Sequence, residues 1–295
     1  MKKRALCVLL CLCVLLCGCT AAPEKLIRYT YSFFGTFDTF MVLIGYAPDE
    51  ETFNRAATLC ESEFKRYHEL FNAYNHSDTV NNIYELNNGA WKAPMTVTED
   101  MMALLTRCRD MQQEMPDTVN IAMGRVLRLW HNAREDSDYD PLNAYLPDEN
   151  ELQEAAKHCS MDDLVLDEEA MTVYYADPLL RLDVGAVAKG YAAGKVGEEI
   201  KAILPHFSLS AGGNLVVGDA PQNESGKWRA GVQDPAKALI SDDETNLTVI
   251  AFNDQALVTS GDYQRYFTVD GVAYHHIIDP VTLFPARHMH AVTIL

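Results

Sequence analysis

From Phe207 onward the sequence is a succession of short β-type runs separated by turn residues, and this feature restricts the fold more than any other. Such strands must pair and place their apolar face against another layer, because a sheet buries its hydrophobic side only by packing. Earlier segments mix helical and strand patterns without regular alternation. We therefore predict an α+β fold of mixed, largely antiparallel sheets flanked by helices. The runs are FSLS, NLVVG, WRAGV, LTVIAF, ALVTS, RYFTV, VAYHHII and AVTIL.

Helical periodicity is clearest in the segments that precede this region. Apolar residues recur at three- and four-residue spacing from Asp49 to Phe71, which predicts a helix. A second helix is predicted from about Glu99 to Met115, where Thr96 and Glu99 would form a capping box. Two further segments predict helices, the second of them despite four glycines: DENELQEAAKHC and GAVAKGYAAGKVGEEIKAIL.

Strand-like patterns lie between these helices. RYTYSFFGTFDTFMVLIGY predicts a strand or a strand pair around Gly35. LVL and MTVYY, which are separated by residues 167–170, predict a hairpin, and RLDV predicts a brief strand. WRAGVQDP predicts a strand that ends in a turn at Asp234 and Pro235.

Charge and length limit the classes of function. The chain has 295 residues and a formal net charge of -18. Its 24 basic residues form no run of the kind that phosphate contacts along nucleic acid require, so we predict no nucleic-acid partner. A small anionic ligand would need local positive groups or a metal ion.

The N-terminus has the pattern of a secretion signal. Three basic residues precede an apolar run from Ala5 to Leu16 that is too short to span a bilayer comfortably. The order Leu16-Cys17-Gly18-Cys19 resembles a bacterial lipobox, which predicts a signal peptide over 1–18, lipidation of Cys19 (palmitate included) and a tether over 19–26. The chain would then lie at the cell membrane on its extracytoplasmic face. An uncleaved signal or a transmembrane anchor remains the alternative.

Three cysteines lie in the body of the chain. Cys60, Cys108 and Cys159 are far apart, have no CxxC spacing, and each falls in a helix-like segment. We therefore predict buried thiols rather than a metal site or a disulfide framework.

The segment LDVGAVAKGYAAGK places Asp183 at a strand end, followed by Gly185 and a helix. The free N–H groups of such a helix start can receive a phosphate, and Lys189, one turn further on, could reach the same group. The alternative is a capped, glycine-containing helix with an exposed lysine. The segment is neither GxGxxG nor a Walker loop, so the two common nucleotide motifs are absent from it.

Two other segments have both a functional and a structural interpretation. Gly212 and Gly213 could direct main-chain amides at a ligand or could simply form a hairpin turn. His275 and His276 point to opposite faces of a strand, so only one of them can face a pocket. Asp279 could pair with His276 or cap a turn. Neither GxSxG nor HExxH occurs, so serine hydrolase and zincin mechanisms lack their motifs.

Taken together and in order, several motifs resemble the ApbE family of FAD:protein FMN transferases from about Tyr29 to Leu295. The resemblance implies an ApbE-like fold over 27–295. It also implies a secreted or membrane-anchored enzyme that cuts FAD, moves FMN onto a threonine hydroxyl of another protein and releases AMP. Mg²⁺ would be required, and the acceptor would belong to a membrane redox complex. The motifs are FFGT, NAYNHSD, VNIAMG, LDVGAVAKGYAAG, SAGGNLVVG, WRAGVQDP and TSGDYQRYF with YHHIIDPVTLFPA.

The resemblance assigns roles to individual positions. His276 would act as a base or orienting group for the incoming threonine, and the carbonyl of Ala186 would ligate the metal. Phe34 stands where the family usually has methionine, and Asn120 stands where it has aspartate. The positions implied to contact FAD are Phe34, Tyr74, Thr118, Val119, Asn120, Asp183, Lys189 and Ile278.

One departure concerns the C-terminus. Family members continue past the VTIL strand into a helix whose Asp and Thr complete the metal site, whereas this sequence stops at Leu295. We therefore expect a C-terminally incomplete sequence of an active enzyme. The alternatives are an FAD pyrophosphatase, in which water replaces the acceptor, and a non-catalytic flavin-binding lipoprotein.

Overall fold

The computed structural model describes residues 25–116, 118–223, 225–237 and 246–295. The predicted signal peptide, Cys19 and most of the tether lie outside these residues. The helices and strands follow one another as β1 (Ile27–Thr36), β2 (Thr39–Ala47), α1 (Glu50–Leu70), α2 (Ile83–Gly89), β3 (Met95–Thr96), α3 (Glu99–Glu114), α4 (Gly124–Tyr139), α5 (Glu149–Ala156), β4 (Leu164–Asp167), β5 (Thr172–Tyr175), α6 (Gly185–Lys201), β6 (Phe207–Ala211), β7 (Asn214–Val217), β8 (Trp228–Gln233), β9 (Asn246–Phe252), β10 (Gln255–Gly261), β11 (Tyr266–Val269), β12 (Val272–His275) and β13 (Ala291–Ile294).

A six-stranded antiparallel sheet organises the molecule, in the order β1-β2-β6-β7-β10-β13. Its two faces follow from alternation along β2. Met41 and Leu43 enter the main core with α1 and α6, whereas Ile44 and Tyr46 pack against the β8–β9 ribbon on the opposite face. The predicted α+β class with largely antiparallel sheets is confirmed.

Helix α1 illustrates how local sequence signals agree with packing. Asp49 caps it by accepting a hydrogen bond from the amide of Thr52 at 2.7 Å, and Glu50 and Glu51 favour the positive end of the helix dipole. The apolar positions that predicted the helix are buried against the sheet. Complete burial of one such aromatic side chain contributes about 2 kcal/mol.

The capping box predicted for α3 is wrong. Thr98 is the N-cap, and its hydroxyl accepts from the amide of Met101 at 3.3 Å. Thr96 lies two residues earlier in β3, where it pairs with Thr172 of β5. Thr96, which the sequence spacing predicted as the cap, is therefore part of a paired strand instead.

Two other local predictions also need correction. RLDV does not form a strand, because only Arg181 makes a bridge, a parallel one with Met123. Cys159 lies beyond the end of α5 and is half-buried, whereas Cys60 and Cys108 are buried within helices. The described cysteines form no disulfide, and burial raises the pKa of the Cys60 thiol to about 12.

Helices α2 and α4 have no counterpart among the sequence predictions. α4 carries a second, smaller core, in which Trp130 packs against Phe267 of β11 and Phe284. The indole nitrogen of Trp130 donates to the carbonyl of Leu283 at 2.9 Å. This contact fixes the segment that follows β12, and so places the histidine motif relative to α4.

None of the helices in the described part of the chain is both long and apolar enough to cross a membrane.

Candidate active site

Asp183 joins three segments at the start of α6. Its Oδ1 atom accepts from the amide of Gly185 at 2.8 Å, and its Oδ2 atom accepts from the hydroxyl of Tyr74 at 3.1 Å. Its own amide donates to the carbonyl of Ile121 at 2.8 Å. The amide of Gly185, at the predicted anion-binding helix start, is therefore already hydrogen-bonded to this carboxylate. Asp183 and Tyr74, which are both predicted site residues, are in contact.

Tyr74 is held by two side chains from α4. The guanidinium of Arg128 lies 4.3 Å from the centre of its ring, and the His131 ring centre lies 4.5 Å away. Burial and then the Asp183 carboxylate raise the pKa of Tyr74, so its hydroxyl keeps the proton that it donates to Asp183. Burial also lowers the pKa of His131. Sequence reasoning missed Arg128 and His131; their three-residue spacing becomes informative only once α4 is known to be a helix.

The 118–120 segment lies next to this junction. Asn120 accepts from the amide of Ala122 at 2.8 Å and donates to the carbonyl of Cys159 at 2.9 Å. Its amide group therefore pins the loop, a task that needs both a donor and an acceptor. Thr118 donates to the carbonyl of Met115 at 2.6 Å and is exposed, and Val119 is half-buried.

A second group forms around Lys189, whose charged neighbours are Arg265, after β10, and Asp38, in the β1–β2 turn. Burial lowers the pKa of Lys189, Arg265 lowers it further, and Asp38 opposes the shift. Lys189 makes no hydrogen bond or ion pair within 4.0 Å to any described residue. Two cations without a close carboxylate partner make this region favourable for an anion.

His276 belongs to the same group. Its Nδ1 atom and its backbone amide both lie within hydrogen-bond distance of the Arg265 carbonyl, at 3.2 and 3.1 Å. A carbonyl accepts only, so Nδ1 carries the proton and Nε2 keeps a free lone pair. Desolvation by the surrounding protein lowers the pKa of His276 to about 4, and the positive charges of Arg265 and Lys189 lower it further.

The neighbouring His275 has a structural role. It is buried, its Nε2 atom donates to the Ala286 carbonyl at 2.6 Å, and its Nδ1 atom accepts from the amide of Ile277. The prediction that the two histidines point in opposite directions is confirmed. Asp279 accepts from the amides of Val281 and Thr282, so it caps a turn rather than pairing with His276.

The turn between β1 and β2 faces the same group. Phe37 and Asp38 both have positive φ, 52° and 49°, as a two-residue hairpin of this hand requires. Nη2 of Arg265 donates to the carbonyl of Asp38 at 3.1 Å and to that of Phe37 at 3.4 Å. His68 accepts from the amide of Phe37. These bonds offset the strain of two non-glycine residues in this conformation.

Two predicted flavin contacts lie at the edge of this arrangement. Phe34 is 70% exposed, beside an irregularity in the β1–β2 pairing, so its ring is available to a ligand. Ile278 is half-buried and packs against the second core, while its backbone bridges Pro285. Phe34 is therefore accessible to a ligand, whereas Ile278 packs against the second core.

Gly212 and Gly213 form the turn between β6 and β7. Gly212 has a φ of 61°, and a Cβ atom on Gly213 would collide with the carbonyl oxygen of Thr259. Both glycines are therefore required by the hairpin and by the approach of β10. The hairpin alternative accounts for them without a ligand.

No group of three or more His, Cys, Asp or Glu side chains within the described ranges could hold a metal ion. Ala186 lies in the first turn of α6, and the Asp183 carboxylate beside it is engaged by Tyr74 and Gly185. Magnesium prefers six oxygen ligands, which these residues do not supply by themselves. The carbonyl of Ala186 as a metal ligand stays a prediction.

A cavity of about 610 Å³ opens on the other side of the Tyr74–Asp183 pair. Its walls come from Ala73 and Tyr74, from α2, α4 and α5, and from the residues before α6. Neither Lys189 nor His276 lines it. Three arginines do: Arg125, Arg128 and Arg181.

Comparisons with known proteins agree on one family and one fold. The model of the ApbE family matches residues 34–295. An FAD:protein FMN transferase of Klebsiella pneumoniae strain 342 is 28% identical over 255 residues, which are 85% of this chain and 72% of that protein. One of Treponema pallidum strain Nichols is 33% identical over 68% of this chain and 56% of its own length. The crystal structure of the ApbE protein from Thermotoga maritima superposes with a TM-score of 0.75 at 26% identity, covering 90% of this chain and 81% of that one.

Proposed function

The chain belongs to the ApbE family, and on this premise we propose that it transfers FMN from FAD to a threonine hydroxyl of an acceptor protein, releasing AMP. The observation that carries the proposal is the half-buried Lys189 beside Arg265 and His276, without a carboxylate in ion-pair distance among the described residues. A diphosphate placed there would supply the missing negative charge. The exposed ring of Phe34 on the adjoining strand would then be available to the flavin.

The transfer requires one bond to form and one to break. The threonine oxygen bonds to the phosphorus of the FMN half, the bond from that phosphorus to the bridging oxygen breaks, and AMP leaves with that oxygen. The hydroxyl proton needs an acceptor at the start of this step. Nε2 of His276 has the free lone pair, so neutral His276 would orient the hydroxyl and take its proton as the new bond forms, and the proton would then pass to the phosphate of the departing AMP.

Positively charged side chains would stabilise the transition state. In this proposal Lys189 and Arg265 would face the phosphoryl oxygens on which charge develops, and the bonds from Arg265 to the β1–β2 turn would keep its guanidinium in place. Mg²⁺ is part of the proposal, with the carbonyl of Ala186 and oxygens of FAD as ligands. Its chemical contribution would be to neutralise negative charge on the diphosphate.

The test incubates the purified chain with FAD, MgCl₂ and a candidate acceptor domain, followed by gel fluorescence under denaturing conditions. We expect flavin fluorescence to stay with the acceptor band and AMP to appear in equal amount. An acceptor whose threonine is replaced by alanine is the control and should stay dark. Free FMN and AMP without labelled acceptor would identify an FAD pyrophosphatase instead, and bound FAD without AMP would identify a non-catalytic flavin-binding protein.

We further propose that the protein is a lipoprotein anchored through Cys19 at the extracytoplasmic face of the cell membrane, where it would modify a subunit of a membrane redox complex. The support is the Leu16-Cys17-Gly18-Cys19 order after a short apolar run. Replacing Cys19 with alanine should move the protein from the membrane fraction to the soluble fraction. Retention of Cys19→Ala in washed membranes would contradict the anchor.

A further inference from the structure

The end of α4 carries an exposed apolar surface that the proposed transfer does not use. Leu142 is 96% exposed and Tyr139 is 93% exposed, which are the highest values among the large apolar side chains of the described residues. Tyr145, a few residues further on, is 44% exposed. Tyr139 lies about 12 Å along the helix axis from His131, the α4 residue that contacts Tyr74. These three side chains, the 139–145 surface, are therefore separate from the candidate active site.

Hydrogen bonds hold the 139–145 surface in place, so its exposure does not result from a loose loop. The hydroxyl of Tyr145 donates to Oδ2 of Asp136 at 2.7 Å, and Nδ2 of Asn143 donates to Oδ2 of Asp140 at 2.7 Å. The amide of Asp140 continues the helix by donating to the carbonyl of Asp136 at 2.8 Å. A surface that is ordered in this way loses little conformational freedom when a partner binds.

Carboxylates without a positively charged partner surround these apolar side chains. Asp136, Asp138 and Asp140 make no ion pair within 4.0 Å to any described residue. The stretch 136–154 contains neither lysine nor arginine, although it contains further aspartates and glutamates. The 139–145 surface therefore combines exposed apolar area with negative charge that neighbouring cations do not compensate. An exposed apolar patch with a polar rim of this kind is typical of a protein interaction site.

The negative charge discriminates between the candidate occupants of this surface. In a symmetric dimer the same carboxylates of two copies would face each other, and like charges across an interface are unfavourable. The negative potential of an anionic lipid surface would repel the carboxylates for the same reason. A polypeptide that carries lysine or arginine beside apolar side chains is attracted instead, because opposite charges steer the encounter and apolar burial supplies affinity.

We propose that the 139–145 surface docks a basic segment of another protein. Apolar side chains of that segment pack on Leu142 and on the two tyrosines, and its lysine or arginine side chains pair with Asp136, Asp138 and Asp140. Tyrosine is well suited to such a contact, because its ring provides a large rigid area and its hydroxyl can remain hydrated. The proposal does not depend on flavin transfer, since it uses no residue of the candidate active site.

The test is fluorescence anisotropy of a labelled, end-capped peptide, Lys-Leu-Lys-Lys-Leu-Lys, titrated with the purified protein. Leu142→Ser should weaken binding about tenfold, because it removes apolar area that the peptide buries. Val281→Ser is the matched control, since Val281 is 75% exposed but lies in the turn after β12, and it should bind as wild type does. The native fold should survive in Leu142→Ser, because its side chain is almost fully exposed, and thermal unfolding checks this.

A second variant tests the charge. Asp138→Asn should weaken peptide binding and reduce its dependence on NaCl concentration, because one ion pair is lost. Asp270→Asn, at an exposed position in the β11–β12 turn, is its control and should bind as wild type does.

Two comparison peptides separate specific docking from general attraction to an acidic protein. Replacing both leucines of the probe with serine, or all its lysines with glutamate, should abolish binding. Equal affinity for the leucine and serine peptides, equal affinity of wild type and Leu142→Ser, or no binding by the wild type would overturn the proposal. Wild-type binding to phosphatidylglycerol vesicles, or a sedimenting dimer that Leu142→Ser dissociates, would also overturn it by assigning the surface to a membrane or to a second copy.

Discussion

At the scale of single residues, the site depends on groups whose protonation is fixed by their neighbours. Tyr74 stays protonated and donates to Asp183, while His276 stays neutral with its proton on Nδ1. Neither state follows from the sequence, because each depends on a partner far along the chain. The resemblance to a family pointed to these positions, and only the folded structure gives the contacts between them.

Protonation of His276 should make stability depend on pH in a defined direction. Its folded pKa of about 4 lies below the ordinary value of 6.5, so the unfolded chain binds more protons between these two values. Stability contributed by neutral His276 is therefore present above pH 6.5 and decreases as the pH falls toward 4. Urea unfolding of wild type and His276→Asn across this window should show the flatter profile for the variant. Parallel profiles would mean that His276 titrates normally.

The hydroxyl of Tyr74 should contribute to stability through its hydrogen bond to Asp183. Tyr74→Phe removes one hydrogen bond to the Asp183 carboxylate, and we expect a loss of about 1.5–3 kcal/mol in unfolding free energy. Tyr139 is 93% exposed and makes no hydrogen bond to a described residue, so Tyr139→Phe is the control. Chemical denaturation checks both variants, and an unchanged Tyr74→Phe protein would show that the bond contributes nothing.

At the scale of helices and strands, most predictions came from periodicity and turn chemistry. Helices α1, α3, α5 and α6 were predicted because one apolar face of each enters a core, and the strands after Phe207 because short β-type runs alternate with turn residues. α4 was not, since it starts without a side-chain cap and its first turn carries Arg125 and no acidic residue. RLDV has the composition of a strand, but only Arg181 forms a β-bridge, with Met123. The tertiary contacts of this segment override the strand propensity of its four residues.

The β1–β2 turn connects one of these elements to the site. Arg265→Gln removes the guanidinium that holds the carbonyls of Phe37 and Asp38, and we expect a stability loss of about 1–2 kcal/mol. The maximal rate should fall and the FAD concentration for half-maximal rate should rise, because the substitution removes a charge proposed to stabilise the transition state and loosens the turn that adjoins the ligand. Steady-state kinetics measure both quantities, and Arg107→Gln, on the exposed face of α3, is the control. Equal changes in both variants would exclude a positioning role.

At the scale of the whole molecule, an acidic chain has to bind an anion. A formal net charge of -18 repels a diphosphate at long range. The structure contains two local groups of positively charged side chains, which are Lys189 with Arg265 and Arg125 with Arg181. The composition predicted that an anionic ligand would need local positive groups, but each group is formed by residues from distant segments of the chain. Their positions therefore required the fold.

The same charge balance predicts a dependence on divalent metal. Removing Mg²⁺ with EDTA should weaken FAD binding and abolish transfer, and adding Mg²⁺ or Mn²⁺ back should restore both, because the ion neutralises the diphosphate. NaCl at matched ionic strength is the control and should not restore activity, since it only screens charge. Full activity in EDTA would contradict the predicted metal requirement.

The account depends most on FAD binding at the start of α6, next to Lys189. The direct measurement is the dissociation constant for FAD, from flavin fluorescence quenching with magnesium present, in wild type, Lys189→Met and Lys195→Met. Lys195 is on the same helix but is exposed, beside Glu198. We predict that Lys189→Met binds FAD about tenfold or more weakly, while Lys195→Met binds as tightly as wild type. Equal affinities of all three proteins, or no FAD binding by the wild type, would contradict the account.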